Sequence, residues 1–383
     1  MSIELLSDKL HAKADARPVR NGSNRVVGEG ISTVTPDQTA LGLTSRRLGR
    51  TDLHLPVIGF GSAHIGELYR RVPEEDSRAT LAAAWDHGLR YYDTAPWYGR
   101  GLSEHRLGGF LRTLPRDQFR VTTKVGRTLH RPADPASFDR APWTGGLNFE
   151  VRFDYSHDGV MRSYEQALQR LALDTVDALV IHDLEAMFHG DRTAEYRRQL
   201  TDGGGLRALQ ELKAGGQIRA FGMGVNTDDA LDTVAAGLDL DFLLVAMPYT
   251  LLDQRALHHG MARCVERGMG VIIGAPYASG ILVTGSGAGA TYAYGQASPE
   301  VQARVRGIER VAAAHGVTLA SAALQFVLAH PAVASVIPGA ARASEVAGNV
   351  AALRATIPAA FWSDLKDEGL IDPAAPVPGG PVA

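Results

Sequence analysis

The 383-residue sequence contains a single cysteine, Cys264, and no strong excess of charge of either sign. One thiol excludes a disulfide within the chain, and such a count suits a reducing compartment, so we expect a cytoplasmic location. The net charge is −3, and no basic stripe is visible. A nucleic-acid partner or an anionic membrane surface is therefore not expected.

Long apolar runs are also scarce. Glu4, Asp8 and Lys9 interrupt any apolar core of signal-peptide length near the N-terminus. Residues 268–299 carry no charge and are long enough to cross a bilayer, but many glycines and Pro276 dilute their apolarity. We predict a buried strand followed by a flexible loop there, and no membrane partner.

Residues 1–44 show no sustained periodicity and are rich in Gly, Ser, Asn and Thr, which predicts a loosely held extension of the kind that is often disordered. Residues 372–383 form a Pro-rich tail. Between these ends no composition break occurs, so we interpret residues 45–371 as one catalytic domain.

Strand-like and helix-like runs alternate through that domain. The predicted strands cover residues 57–61, 90–93, 119–124, 176–182, 218–223, 242–246, 271–274 and 333–337. The predicted helices cover residues 76–87, 103–111, 159–171, 206–214, 228–236, 254–267, 299–315 and 343–354. Continuous apolar strands separated by amphipathic helices indicate a buried parallel sheet.

Eight such units in about 300 residues favour an α/β fold of the closed (β/α)₈ (TIM) barrel type, with loop insertions at the carboxyl ends of the strands. A doubly wound sheet is the alternative. It normally carries Gly-x-Gly-x-x-Gly after its first strand, and Gly59-Phe60-Gly61 lacks the third glycine at that spacing. No P-loop and no zinc-type Cys/His spacing is present, so no metal site is predicted.

Four polar residues fall at or just beyond the ends of three successive predicted strands, where such a barrel builds its site. They are Asp93, Tyr98, Lys124 and His182. Singly, each is better explained as a turn cap, a loop aromatic, a solvated lysine or a core imidazole. Together they suit one mechanism, which is proton transfer at a carbonyl or an alcohol.

In that mechanism Tyr98 is the acid or base. Its phenol has an ordinary pKa of about 10, which an adjacent Lys124 ammonium would lower and a carboxylate at Asp93 would support. His182 would hydrogen-bond the reacting oxygen. None of the four is a covalent nucleophile, so the hydride must pass to or from a bound cofactor.

The run Asp93-Thr94-Ala95-Pro96-Trp97-Tyr98-Gly99, with Glu104 after it, resembles the aldo-keto reductase signature. The resemblance extends over residues 46–370. It implies a (β/α)₈ barrel, a nicotinamide cofactor, and the catalytic tetrad Asp93, Tyr98, Lys124 and His182.

Segments 153–163, 181–185, 222–226 and 275–282 resemble the branch of the family that holds aldose 1-dehydrogenases, which oxidise fucose or arabinose, and pyridoxal 4-dehydrogenase. The branch implies oxidation of a cyclic hemiacetal to a lactone. Reduction of aldehydes or ketones with NADPH is an alternative, and a non-catalytic dinucleotide-binding barrel that regulates a partner is a more remote one.

The cofactor end departs from the family pattern. The usual Pro-Lys-Ser after the last strand is Pro338-Gly339-Ala340, and Glu345 stands where an arginine is expected. A carboxylate there disfavours a 2′-phosphate, so NAD is preferred over NADP. Asn226 is the candidate for the carboxamide, and Ser279 and Gly280 can offer backbone amides to the pyrophosphate. The full set of expected cofactor contacts is Gly61, Ser62, Asn226, Tyr277, Ser279, Gly280, Gly339, Arg342 and Asn349.

The substrate, a small molecule, is expected to contact loops 127–157, 184–203 and 281–297. Trp97, Trp143 and Phe188 are the candidates for a wall that stacks on its ring. Such a wall suits sugars and pyridoxal equally, and each aromatic is also explained by packing within its own loop. The oligomeric state is not readable from the sequence.

Overall fold

Eight parallel strands form a sheet that closes on itself. They are β1 (Phe60–Gly61), β2 (Tyr91–Asp93), β3 (Arg120–Val125), β4 (Ala178–Ile181), β5 (Ala220–Val225), β6 (Phe242–Ala246), β7 (Gly270–Gly274) and β8 (Val333–Ile337). Each pairs with the next in chain order. Parallel bridges from Ile58 to Val336 and from Gly61 to Gly339 join the two edges, and Gly59 N–H donates to Val336 O at 2.9 Å. The architecture is the predicted (β/α)₈ barrel.

The computed structural model describes residues 43–293 and 295–379. The predicted N-terminal extension, up to residue 42, and the last four residues of the predicted tail lie outside this range. The tail residues that are described lie against the barrel. Ala375 is buried in the outer core, and Asp372 N–H donates to Gln254 Oε1 at 3.2 Å.

Thirteen α-helices occur in the described part of the chain. They are α1 (Glu74–Asp86), α2 (Leu102–Leu111), α3 (His157–Leu171), α4 (Ala186–His189), α5 (Thr193–Thr201), α6 (Gly205–Ala214), α7 (Asp228–Gly237), α8 (Gly260–Glu266), α9 (Ile281–Thr284), α10 (Pro299–His315), α11 (Leu319–Leu328), α12 (Ala343–Arg354) and α13 (Ala359–Asp367). Side-chain caps begin four of them, from Ser156, Thr227, Ser298 and Thr318.

The crossover between β7 and β8 differs from the prediction of one helix at 299–315. A second helix, α11, packs against β8 and α12. Its ten residues are almost all apolar, so they lack the amphipathic period by which a surface helix is recognised. The predicted helix at 254–267 is also divided, into a 3₁₀ turn at Arg255–His258 and α8.

Two apolar cores follow from the alternation of side chains along each strand. Tyr91, Val180 and Leu244 belong to a small cluster inside the barrel, whereas Tyr92 and Ile181 belong to the large cluster under the helices. Both faces of β4 and β6 are therefore buried, which explains the unbroken apolar sequences of these two strands.

Three short antiparallel strand pairs lie outside the barrel sheet. Ser45–Arg47 pairs with His54–Pro56, and Leu48, Leu53 and Leu55 from this hairpin join the inner cluster. Arg127–His130 pairs with Glu150–Phe153 within the predicted insertion, and Thr291–Tyr292 pairs with Gly295–Gln296. None of the three pairs was predicted.

Among the described residues, no single helix is long and apolar enough to cross a membrane. Only α10 and α11, bent by 100° relative to each other, meet that criterion as a pair.

Helix α2 is anchored at both ends of its inner face. Glu104 is fully buried and accepts hydrogen bonds from Thr123 Oγ1 at 2.8 Å and from Arg170 Nε at 2.6 Å. One turn later, Gly108 faces α3 so closely that a Cβ there would overlap the Leu171 carbonyl. This contact sets how closely α2 packs on α3.

We predict that Gly108→Ala and Gly109→Ala change stability in opposite directions. Alanine at 108 must displace backbone and should destabilise the protein by about 1–3 kcal/mol. A Cβ at Gly109 meets nothing within 4 Å, so alanine there should stabilise by about 0.5–1 kcal/mol through helix propensity. Urea unfolding of both variants measures this, and equal shifts would contradict the α2–α3 contact.

Candidate active site

The barrel brings the four predicted catalytic side chains to one end. Asp93 is the last residue of β2, Lys124 is the penultimate residue of β3, and His182 directly follows β4. Tyr98 opens a 3₁₀ turn, Tyr98–Gly101, in the loop after β2. Because Tyr91 lies in the inner cluster, Asp93 two residues later also faces the barrel interior.

A buried ion pair lies at the centre of this group. Lys124 Nζ donates to Asp93 Oδ2 at 2.6 Å and to Thr94 O at 2.9 Å, and both charged side chains are only 2% exposed. Thr122 Oγ1 donates to Asp93 Oδ1 at 2.7 Å and lies 3.0 Å from the Tyr91 hydroxyl. Both carboxylate oxygens therefore have partners.

Tyr98 lies over this pair, with its ring centroid 4.6 Å from Lys124 Nζ. The pKa of Tyr98 is nonetheless raised from its ordinary value, chiefly by burial, although the Lys124 charge lowers it and the Asp93 charge raises it. This differs from our expectation of a lowered pKa, because desolvation of the phenolate outweighs the ammonium. The Asp93 and Tyr98 charges raise the pKa of Lys124 to about 12 in spite of burial, so it stays charged.

The imidazole of His182 is neutral. Burial, and after it the charges of Arg127 and Lys124, lower its pKa well below the ordinary value. Its ring stands edge-on to Tyr98, with the centroids 6.0 Å apart at 88°. Nδ1 is buried and has no hydrogen-bond partner in the described part of the protein.

Arg127 and Asp183 beside His182 were not among the predicted site residues. Arg127 Nη2 donates to Asp183 Oδ2 at 2.7 Å, and the same oxygen lies 3.1 Å from His182 Nε2. Asn226 Nδ2 donates to Asp183 Oδ1 at 3.0 Å and to Glu185 Oε1 at 2.7 Å. Asp183 and Glu185 follow His182 within three residues. Their closeness to a predicted catalytic residue was the sequence signal that could have identified these two carboxylates.

The predicted aromatic wall divides into two parts. Trp97 and Trp143 pack edge to face, with ring centroids 5.5 Å apart, and the Trp143 ring centroid lies 5.8 Å from that of Tyr98. Phe188 is 40% exposed and is linked to the group by Arg127, whose guanidinium lies 5.4 Å from the Trp97 ring and 5.8 Å from the Phe188 ring.

The loop after β7 and the start of α12 carry most of the predicted cofactor residues. Ser279 and Gly280 occupy a tight turn with φ values of 62° and 102°, and a Cβ at Gly280 would meet nothing within 4 Å. Tyr277 donates its hydroxyl proton to Asn349 Oδ1 at 2.7 Å, which joins the loop to α12. Arg342 is exposed at the N-terminus of α12. An open backbone turn, a helix N-terminus and a cation fit the pyrophosphate of a dinucleotide.

Three other predicted cofactor residues lie in the barrel closure, where β1 meets the end of β8. The Gly61 N–H donates to Pro338 O at 3.1 Å, and the His64 ring packs directly over Gly339. Ser62 is fully buried, with its N–H on Asp93 O and its Oγ accepting from Ser103 at 2.7 Å. The polar atoms of Ser62 are thus used inside the protein.

Comparison with known proteins gives one family. The model of the Aldo/keto reductase family matches residues 57–368. The chain is similar to a pyridoxal 4-dehydrogenase of Microbacterium luteolum, 40% identical over 85% of this chain and 97% of that protein. It is also similar to a D-threo-aldose 1-dehydrogenase of a Pseudomonas species, 36% identical over 83% and 95% of the two chains.

Among solved structures, an aldo-keto reductase from Bacillus halodurans in its holo form matches with a TM-score of 0.65. The two chains are 25% identical, and the match covers 87% of this chain and 98% of that one. The barrel therefore agrees with this fold over nearly its whole length.

We predict that His182 stays neutral as the pH falls from 8 to 6, whereas His157 becomes protonated. Hydrogen bonds to Glu211 and Asp158 raise the pKa of His157 at the surface. The pKa of His182 is lower in the folded protein than in the unfolded chain, where it is about 6.5. Its contribution to the free energy of unfolding is therefore fully present above pH 6.5 and is lost as the pH falls towards the folded-state pKa.

Imidazole NMR signals, assigned with His182→Gln and His157→Gln variants, measure both states. A His182 signal that titrates alongside that of His157 would contradict the desolvated site.

Proposed function

The chain belongs to the aldo/keto reductase family, and from this premise we propose that it oxidises the anomeric hydroxyl of an aldose of the L-fucose/D-arabinose type to a lactone, with NAD as hydride acceptor. As an oxidoreductase of this family it uses a nicotinamide cofactor. The observation that carries the proposal is the buried Lys124–Asp93 pair beneath Tyr98, with a neutral His182 beside it.

In this proposal Tyr98 receives the proton of the substrate hydroxyl. Lys124, held charged by Asp93, stabilises the phenolate that must exist before transfer. His182 hydrogen-bonds the same substrate oxygen, and its neutrality avoids a second buried cation beside Lys124. When bound, the oxidised nicotinamide supplies the hydride acceptor and a positive charge that favours the phenolate.

The sugar ring is placed by the aromatic wall. Trp97 and Trp143 offer an apolar surface next to Tyr98, and Phe188 covers the rim. Trp143 is only 2% exposed, so it would support Trp97 and Tyr98 from behind, and the half-buried Trp97 would supply the accessible part of this surface. These contacts would bring the anomeric carbon to Tyr98.

The NAD preference is proposed from the start of α12. Glu345 Oε2 accepts from Ala341 N–H at 2.7 Å, and Oε1 lies 3.3 Å from the Arg70 guanidinium. A carboxylate held in this way suits a free ribose 2′-hydroxyl and repels a 2′-phosphate. Asn349 and Tyr277 would meet the adenine end, and the Ser279–Gly280 turn, Gly339 and Arg342 the pyrophosphate.

The nicotinamide end is proposed to lie over the barrel closure, with Gly61 and Ser62 in its floor. Asn226 would contact the carboxamide through Oδ1, because its Nδ2 is engaged by Asp183 and Glu185.

Pyridoxal oxidation is the second candidate, favoured by the relative of that name at 40% identity. A hemiacetal hydroxyl presented to Tyr98 would react in the same way. Rates with NAD plus sugar, NAD plus pyridoxal and NADPH plus aldehyde separate these activities and the reductive direction.

The buried Cys264 suits a reducing compartment, so we propose that the reaction takes place in the cytoplasm.

We predict that Tyr98→Phe lowers kcat by about 10²–10⁴-fold while dinucleotide affinity stays within about twofold, because only the proton acceptor is lost. NADH production from an aldose panel and quenching of tryptophan fluorescence by NAD measure the two effects. Tyr164→Phe, in the helix layer on α3, is the matched control and should retain activity. Undiminished turnover in Tyr98→Phe would refute the assignment.

We also predict that Glu345→Gln raises the ratio of kcat/KM for NADP to that for NAD by about tenfold or more, or about 1.4 kcal/mol. The change removes a negative charge near Arg342 and releases Arg70 to a phosphate. Initial rates with each dinucleotide give the ratio, with the exposed Glu300→Gln as control. An unchanged ratio would show that Glu345 does not select the cofactor.

A further inference from the structure

Asp183 is a second carboxylate at the active site, and its geometry differs from that of Asp93. The Asp93 side chain is 2% exposed and its oxygens are bonded to Lys124 and Thr122. The Asp183 side chain is 13% exposed, whereas its partner Arg127 is only 3% exposed. The accessible part of this ion pair is therefore the carboxylate.

The oxygens of Asp183 have unused capacity. An ionised carboxylate can accept about four hydrogen bonds. Those of Asp183 receive one from Arg127 at 2.7 Å and one from Asn226 at 3.0 Å. Neighbouring Glu185 is a natural contrast, since it is 2% exposed and accepts from Asn226 N and Nδ2 and from Thr227 Oγ1.

The position of Asp183 relates it to the reacting atoms. Its Oδ2 lies 3.1 Å from His182 Nε2. Burial is the main cause of the raised pKa of Tyr98, and the Asp183 charge adds to it. A substrate oxygen held between Tyr98 and His182 therefore has Asp183 next to it. On a substrate bound in this way, the substituent on the carbon adjacent to the oxidised carbon would be the next polar group to meet Asp183.

We propose that Asp183, oriented by Arg127 and Asn226, recognises a neutral hydroxyl group on the carbon next to the oxidised carbon, so that the substrate class is a cyclic vicinal diol. This rests on the proposed oxidation of a hemiacetal. A hydroxyl donates to a carboxylate in a charge-assisted hydrogen bond. In the cyclic hemiacetal of pyridoxal the carbon next to the oxidised carbon carries no hydroxyl, because the phenol oxygen lies one ring carbon further away.

L-Fucose and 2-deoxy-L-fucose, which differ only in that hydroxyl, test the proposal. With the unmodified enzyme, kcat/KM should be roughly 10- to 150-fold higher for fucose, as expected for a hydrogen bond to a charged group. Asp183→Asn should reduce this ratio to about its square root, since neutral hydrogen bonds are about half as strong. Glu300→Gln, which changes an exposed carboxylate on α10, is the control and should leave the ratio unchanged.

A measurement of sugar binding does not depend on turnover. Because Asp183 is left in place, it also does not disturb the ion pair with Arg127. In the Tyr98→Phe background, saturation-transfer NMR should show weaker binding of 2-deoxy-L-fucose than of L-fucose with Asp183 present. Equal Kd values for the two sugars, no sugar binding, or tight binding of pyridoxal alone would overturn the proposal. Absence of NADH formation from every aldose and from pyridoxal, with the Kd difference intact, would instead reject the proposed oxidation.

Discussion

The buried pair of Lys124 and Asp93 is the interaction on which the site depends. Neither charge reaches solvent, and breaking such a pair from one side typically costs about 3–5 kcal/mol. The barrel satisfies the pair with Thr122 and the Thr94 carbonyl. Those partners are available only because alternation along β2 and β3 directs the side chains of Asp93, Thr122 and Lys124 inward together.

Charge in the pocket is arranged around that pair. Burial lowers the pKa of Lys124, but the charge of Asp93 outweighs this effect and Lys124 stays an ammonium. The same burial keeps Tyr98 protonated in the free protein and His182 neutral. The site thus contains the Lys124 cation next to the reacting phenol of Tyr98, whose ionisation depends on that cation. The imidazole of His182 is an uncharged hydrogen-bond partner. A second ion pair, Arg127 with Asp183, lies beside His182, and its carboxylate is the more exposed partner.

Elements with regular patterns were predicted well. Strands β6 and β8 and helices α10 and α12 have the predicted bounds, and the four tetrad residues meet at one barrel end as strand-end logic required. Helix α11 was missed because nearly all of its residues are apolar and most are buried. The strand pair Arg127–His130 with Glu150–Phe153 was missed because an insertion rich in proline and glycine has no clear period. Lys124 lowers the pKa of Tyr98 as expected, but burial, which the sequence does not reveal, raises that pKa overall.

By itself the sequence determined the eightfold alternation, the barrel that follows from it and the residue types at the strand ends, because these depend on local periodicity and on motif chemistry. Only the tertiary structure decided which polar groups share a partner. Arg127 and Asp183 are 56 positions apart along the chain, and Asn226 reaches both Asp183 and Glu185. Such pairings form where loops from different strands converge. They cannot be predicted from the separation of the residues along the chain.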